Sequence, residues 1–469
     1  MFKKNLASRR WFLRDCPVGL GAIAFGNLLQ GSLKAENHSN GLVPHYLPKA
    51  KRVIHLFMAG APSQLELFDY KPELAKLEGK PLPASVIGNQ RYAFIRPDAA
   101  VLGPRFTFQK HGKSGAEISS ALPNISKIAD ELCLVKSMRT DQFNHAPAQI
   151  YFNTGFQQPG RPSIGSWTLY GLGSETKNIP GFVVLSTGSG ISGGAACWSS
   201  GFLPGAFAGV RLRNQGDPIL NMYNPQGISP ALQKQTIDVV NSLNQEAYQR
   251  QSDPEILTRI RQYEMAFELQ TSAPELLDLS SETKETLELY GCDPLKPSFA
   301  RSCLMARRMV ERGVRFVSLY HEGWDAHSNV EGNCRNNAAA TDRGCAALVL
   351  DLKRRGLLED TLVIWGGEFG RTPMVETNPA LGRSQGRDHH PQAFTIWMAG
   401  GGIKSGITYG KTDEMGFHVV ENQVHVRDLH ATILHLLGFD HERFSVTMQG
   451  LEFRLTGVEK ANVIKTILA

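Results

Sequence analysis

His321-Glu322-Gly323-Trp324-Asp325-Ala326-His327 sets a carboxylate two residues from an imidazole, so that Asp325 and His327 can reach one divalent ion. Gly366-Gly367-Glu368-Phe369-Gly370-Arg371-Thr372-Pro373 adds a second acid, Glu368, and Arg371, whose planar fork suits an anionic group. Gly386-Arg387-Asp388-His389-His390-Pro391 adds two adjacent imidazoles and a further guanidinium, Arg387. Nine of the 14 histidines fall between His321 and His441, which directs the search for a metal to the last third of the chain. Mixed Asp, Glu and His ligands suit zinc, manganese or iron, whereas calcium and magnesium prefer all-oxygen sets. The expected cofactor is a divalent ion: zinc, manganese or calcium. A fourth stretch, Ser137 to Ala148, carries Asn144-His145 at the start of a helical run that ends at Thr154-Gly155, where the helix dipole favours an anion.

These groups need a frame. Arg52 to Met58 is an apolar run stopped by Ala59-Gly60-Ala61-Pro62 and reads as a buried strand, with Ser63, Gln64, Glu66 and Asp69 beyond its turn. Further strands are expected at Leu132 to Val135, Phe182 to Leu185, Val314 to Leu319, Thr361 to Trp365 and Phe394 to Met398. Helical patterns lie between them at Ala116 to Glu131, Ser229 to Gln249, Pro254 to Gln270, Ser298 to Arg312 and Asn336 to Arg355. The alternation predicts an α/β fold, a mostly parallel central sheet with helices on both faces. Ligands of such sheets bind beyond the carboxyl ends of the strands. Asp325 and Glu368 stand there, and the Gly386–His390 cluster enters the sheet from a loop. A lone acid or histidine in one loop is usually a cap or a surface group, but four such groups at the mouths of different strands point to a shared site. His55, His418, His425, His435 and His441 lack that placement and read as structural.

The chain has 469 residues with a formal charge of +6. Residues 1–36 hold six basic side chains against Asp15 and Glu36, a local +4, so the rest is close to neutral. No comparable cationic run follows, which disfavours electrostatic nucleic-acid binding. Ser8-Arg9-Arg10-Trp11-Phe12-Leu13-Arg14, followed by the apolar stretch Val18 to Leu29, reads as a twin-arginine signal over 1–36. That route implies the twin-arginine export machinery as a partner and a periplasmic or extracellular destination. It resembles the path of proteins that fold, often around a metal, before crossing the membrane. The apolar stretch is too short for a span of about 20 residues, so no stable membrane span is expected. Residues 37–51 read as a linker and 52–469 as one domain. Cys334 and Cys345 are the first pair to test for a disulfide in an oxidising compartment, with buried free thiols as the equal alternative.

Asp360 to Gly370 resembles the strand and Asp-His-Gly turn of the alkaline phosphatase and sulfatase superfamily, and Arg427 to Leu434 resembles the helix that follows in sulfatases. Residues 52–452 resemble more closely the exported bacterial family called domain of unknown function 1501. The matching motifs are Gly-Ala-Pro-Ser, Phe-Asn-His-Ala-Pro-Ala, Gly-Trp-Asp-Ala-His, Gly-Glu-Phe-Gly-Arg-Thr-Pro and Gly-Arg-Asp-His-His. The resemblance implies an alkaline phosphatase-like fold with two adjacent metal subsites. Asp325 and His327 match the acid and histidine of one subsite, with His389 or His390 as its second histidine. Glu368 matches the acid of the other, where Phe369 replaces the usual histidine. Ala59-Gly60 occupies the place of the first-strand aspartate, so Glu66 or Asp69 would substitute. Counting back ten residues from Thr154-Gly155, as in alkaline phosphatases, reaches His145 in place of a nucleophilic serine. No Cys/Ser-x-Pro-x-Arg motif exists, which argues against formylglycine chemistry.

The expected activity is metal-dependent hydrolysis of a phosphate or sulfate ester, either a small anionic ester or a sulfated or phosphorylated polymer. Asp325, His327, His389 or His390, and Glu368 would hold the ion. His145, Asn144 and Glu368 would serve catalysis, and Arg371 and Arg387 would bind the anion. The alternative from another class is a non-catalytic exported protein that binds an anionic glycan or surface polymer in the same cleft.

Overall fold

The computed structural model describes residues 41–469 except 89–91, 93, 94, 97, 177, 189, 214–226, 254, 255, 258, 261, 262, 265, 266 and 269–275. The expected signal segment, the start of the expected linker and much of the Pro254–Gln270 helix lie outside the described residues.

Strand β1 (Arg52–Met58) is apolar almost throughout because both its faces are covered, as in parallel sheets flanked by helices. Ile54, Leu56 and Met58 pack into one apolar core, Val53 and Phe57 into another on the opposite face. The remaining strands of this sheet are β2 (Cys133–Arg139), β3 (Phe182–Thr187), β4 (Val210–Leu212), β5 (Phe316–His321), β6 (Thr361–Gly366), β9 (Phe394–Ala399), β10 (Ile407–Tyr409) and β11 (Val424–His425). Two more, β7 (Gly370–Asn378) and β8 (Arg383–His390), form a separate antiparallel hairpin between β6 and β9 in the chain. The nine-stranded sheet runs β10-β2-β9-β6-β1-β5-β3-β4, with β11 also paired to β2. Only β9 is antiparallel to its neighbours, β2 and β6.

Five helices matter here: α1 (His145–Thr154), α2 (Pro230–Gln251), α3 (Phe299–Glu311), α4 (Val330–Arg354) and α5 (Val426–Leu436). Helices α3 and α4 cover the face of Ile54 and Leu56, and α1 and α5 cover the other. The expected α/β architecture with helices on both faces is therefore present. Helix α1 stops where expected, at Gly155, whose φ of 71° ends the helix in a left-handed cap. Residues 41–50 lie along the body, with Leu42 N donating to Gly171 O and Ala50 N to Leu436 O.

Two expectations need correction, and of the two readings of the cysteines the free thiol holds. Ala116 to Glu131 is not one helix: Ala116–Ser119 is a strand paired with Phe108–His111, and only Ile125–Glu131 is helical, as a 3₁₀ segment. The Gly386–His390 cluster is not a loop but the end of β8. Cys334 and Cys345 both lie on α4, and eleven residues of helix separate them by about 16 Å, far beyond the 7 Å that a disulfide spans. All six described cysteines are free and buried. Among the described residues no helix is long and apolar enough to cross a membrane.

Candidate metal centre

Three chain segments converge beyond the carboxyl ends of the central strands. The loop after β5 carries Asp325 and His327 and ends at Asn329, which turns left-handed (φ 44°) and caps α4 by accepting the Gly332 N–H. The loop after β2 delivers His145 as the first residue of α1. His389 arrives on β8, opposite Arg371 of β7. The close approach of β1's turn to the Asp325 loop needs Gly60, where a Cβ would lie 2.5 Å from Asp325 N.

Asp325 Oδ1 is the focus. His145 Nε2 lies 3.1 Å from it, His327 Nε2 3.1 Å and His389 Nε2 3.4 Å. Each ring is fixed from behind. His145 Nδ1 is 2.6 Å from Glu368 Oε1, His327 Nδ1 is bonded to Glu376 Oε2, and His389 Nδ1 is 2.7 Å from the Phe143 carbonyl. Those partners are acceptors, so each Nδ1 carries the proton and each Nε2 turns its other valence toward Asp325. Imidazole lone pairs facing a carboxylate repel unless positive charge lies among them, and the Arg371 guanidinium on Asp325 Oδ1 supplies only part of it. The His145 Nε2 atom is buried and makes no aligned hydrogen bond despite its proximity to Asp325. The four ligand atoms lie within 4.8 Å of one another, a spacing one cation can serve. Ring nitrogens anchored by a carboxylate or carbonyl on the far side are the usual setting of metal-bound histidine. His145, Asp325, His327 and His389 thus form a candidate metal cluster.

Protons supply the positive charge when no ion does. Burial alone would lower His145, but the nearby Asp325 and Glu368 carboxylates outweigh it and lift the imidazole to about 9. His327 is also raised, burial being overcome by Asp325 and Glu376. His389 falls to about 4 because burial dominates its contact with Asp325. Burial would raise the Asp325 carboxyl, yet the three histidines and Arg371 hold it far below the usual range. Its side chain is 42% exposed, so the cluster opens to solvent on the Asp325 side.

The other expected site residues are placed differently. Glu368 is fully buried, and its Oε1 accepts from Gly60 N (3.0 Å), Gln149 Nε2 (2.9 Å) and His145, so it supports a ligand. Phe369, standing where a second histidine was sought, packs its ring 5.0 Å from His145 and 4.7 Å from His389. Arg371 is buried; its guanidinium donates to Ala61 O, Arg387 O, Gly60 O and Asp325 Oδ1, holding Asp325 where an incoming anion was expected. Arg387 is likewise not at the cluster's open face: it is completely buried, paired with Glu66 (2.8 Å) and donating to Thr372 O and Leu102 O. Glu66, the suggested substitute acid, is thus engaged by Arg387, and Asp69 accepts from Thr412 Oγ1 and pairs with Lys71 at 3.2 Å. His390 turns away: its Nε2 lies 2.6 Å from Phe417 O and its Nδ1 3.2 Å from Tyr92 Oη. Asn144 is exposed beside His145, and its side chain does not cap the helix.

Sequence reading missed Glu376, Gln149 and the Phe143 carbonyl. Gln149 was within reach, since it stands one helical turn after His145, on the same face. Nothing in the residues around Glu376 marks it.

The fold and cluster define an α/β protein with a three-histidine, one-aspartate candidate metal site at the mouth of its sheet. Residues 50–468 match the family described as "Protein of unknown function (DUF1501)", and the chain belongs to that family. No curated protein matches the sequence. Among solved structures it is similar to a protein in the alkaline phosphatase superfamily from Vibrio parahaemolyticus (11% identity, TM-score 0.37, covering 88% of this chain and 76% of that one). It is similar also to the PsFucS1 sulfatase from Pseudoalteromonas sp. (14%, TM-score 0.35, 89% and 72%). A third is the alkaline phosphatase from the Antarctic bacterium TAB5 (12%, TM-score 0.31, 77% and 94%).

Proposed function

We propose that this protein is an exported, metal-dependent hydrolase of phosphate or sulfate esters, working from one divalent ion held by His145, Asp325, His327 and His389. The observation that carries the reading is the convergence of three anchored Nε2 atoms on Asp325 Oδ1. Three nitrogens and one oxygen favour zinc or manganese over calcium. A bound ion of this kind supplies Lewis acidity to an ester oxygen and acidifies a water. His145 is a ligand in this reading, because its Nδ1 proton is committed to Glu368 and no hydroxyl stands in its place. Glu368, with no exposed surface, keeps that proton in position and does not meet substrate. Asn144, exposed next to His145, is assigned contact with an ester bound at the open face. With Arg371 and Arg387 both engaged, the ester's negative charge is met by the ion. The twin-arginine reading of residues 1–36 supports a periplasmic or extracellular site of action.

Metal analysis of the purified chain and turnover across a panel of phosphate and sulfate monoesters test this reading. Bound metal at one equivalent with metal-dependent hydrolysis is expected; neither metal nor turnover overturns it. One observation favours the second reading, a non-catalytic binder of an anionic glycan or polymer: the start of α1 offers His145 where a nucleophilic hydroxyl was sought. Metal-dependent glycan binding without turnover of any ester would select that alternative.

A further inference from the structure

Glu376 belongs to none of the motifs the sequence singles out, yet its carboxylate is completely buried behind the cluster. A carboxylate is kept in such a place only when its oxygens are occupied by donors. Glu376 divides its two oxygens between two elements: Oε2 faces His327 Nδ1, and Oε1 lies 2.6 Å from Arg383 Nη1 across the β7–β8 hairpin. Its cross-strand neighbour is Gly386, and there the absence of a side chain lets the His327 loop come close: a Cβ on Gly386 would lie 2.1 Å from the His327 carbonyl. Further bonds fasten the hairpin to the same loop, Asn329 N to Ser384 O at 2.9 Å and Arg387 N to Ala326 O at 3.0 Å. The hairpin therefore contributes to the centre directly through His389 and indirectly through Glu376 and Arg371.

We infer that Glu376, held by Arg383, is a positioning residue that fixes the His327 ring with Nε2 facing Asp325, so that the β7–β8 hairpin sets the affinity of the centre for its ion. This rests on the metal reading above. His327, Glu376 and Asp388 also lie close enough together to suggest a site of their own. The Arg383 guanidinium on Glu376 repels a cation there, and Asp388 Oδ1 already accepts the His389 N–H at 2.7 Å. An acceptor behind a metal-bound histidine is worth about 10- to 100-fold in metal affinity. An amide at position 376 cannot serve both donors, because its oxygen can accept from His327 or from Arg383 while its NH2 meets the other.

The test titrates Zn2+ into the chelator-stripped full chain and records the visible spectrum of the Co2+-loaded form, for wild type, E376Q, E376D and R383Q. E376Q is expected to weaken Zn2+ binding about 10- to 100-fold and to change the Co2+ bands while the metal-free circular dichroism stays the same. R383Q should shift both readouts in the same direction by less, and E376D should recover part of the affinity. Wild-type affinity and spectrum in E376Q overturn the inference; if E376Q does not fold, wild-type behaviour of R383Q and E376D overturns it. A wild-type chain that binds no ion defeats the metal reading itself, whereas a wild type that binds with variants that bind equally defeats only the role of Glu376.

Discussion

Glu368 Oε1 stands 2.6 Å from His145 Nδ1 with no part of its side chain in contact with solvent. The relation assigns the acid at the end of β6 to the rear of the centre. It also explains why Gly60 and Gln149 donate to the same oxygen: three donors hold the carboxylate ionised, and burial, which would raise it, is outweighed so that it stays below its ordinary range.

Replacing Glu368 by Gln should therefore act through the ion. Zinc affinity should fall about 10- to 100-fold, with any residual turnover proportional to metal content. Calorimetric titration against activity at saturating metal checks this. Full metal loading with abolished turnover would instead make Glu368 a participant in the chemistry.

His389 and His390 should separate cleanly. H389A is expected to lose bound metal. H390A is expected to keep it and to lose about 1–3 kcal/mol of stability, the usual cost of a stranded buried acceptor, here the Phe417 carbonyl. Elemental analysis paired with denaturant unfolding reads both.

Arg387 and Glu66 are both fully buried and paired. R387M alone leaves an unpaired buried carboxylate and should cost about 3–5 kcal/mol. Adding E66L should restore much of that loss, since apolar replacement of a whole buried pair is often tolerated. Equal instability of single and double variants in urea unfolding would contradict the pairing.

The pH response should differ in sign with and without metal. In the metal-free chain, His145 is raised from 6.5 to about 9 by Asp325 and Glu368 against the lowering effect of burial. The stability it contributes is complete below about 6.5 and is lost as pH rises through about 9. An ion must displace that proton, so metal affinity should increase over the same window. Melting temperatures of stripped protein and zinc affinities, each measured from pH 6 to 10, check the two slopes.

Much of the frame was legible because it depends on local pattern. The strand Arg52–Met58 is bounded by its apolar run and the Gly60 turn, and α1 by Gly155. The segment 116–131 misled because its short apolar run suits either period, and only pairing with Phe108–His111 decides for a strand. Asp325, His327, His389 and His145 were found, but their roles depended on direction. Successive strand residues face opposite sides, so only one of His389 and His390 could enter the cluster. Arg387 looked like an anion receptor until Glu66, far away in the chain, was seen to occupy it. Glu376 had no sequence signal because its partner His327 is brought to it only by the hairpin.

The candidate ligands come from α1, from the loop after β5 and from the end of β8, so no single element of the fold contains them together. Under the proposed metal reading, the ion recognises only a chain whose sheet and hairpin are already assembled. Binding then stabilises the finished fold as a whole and none of its parts. Chelation should thus lower the unfolding temperature of both faces of the sheet together, making metal occupancy a measure of completed folding.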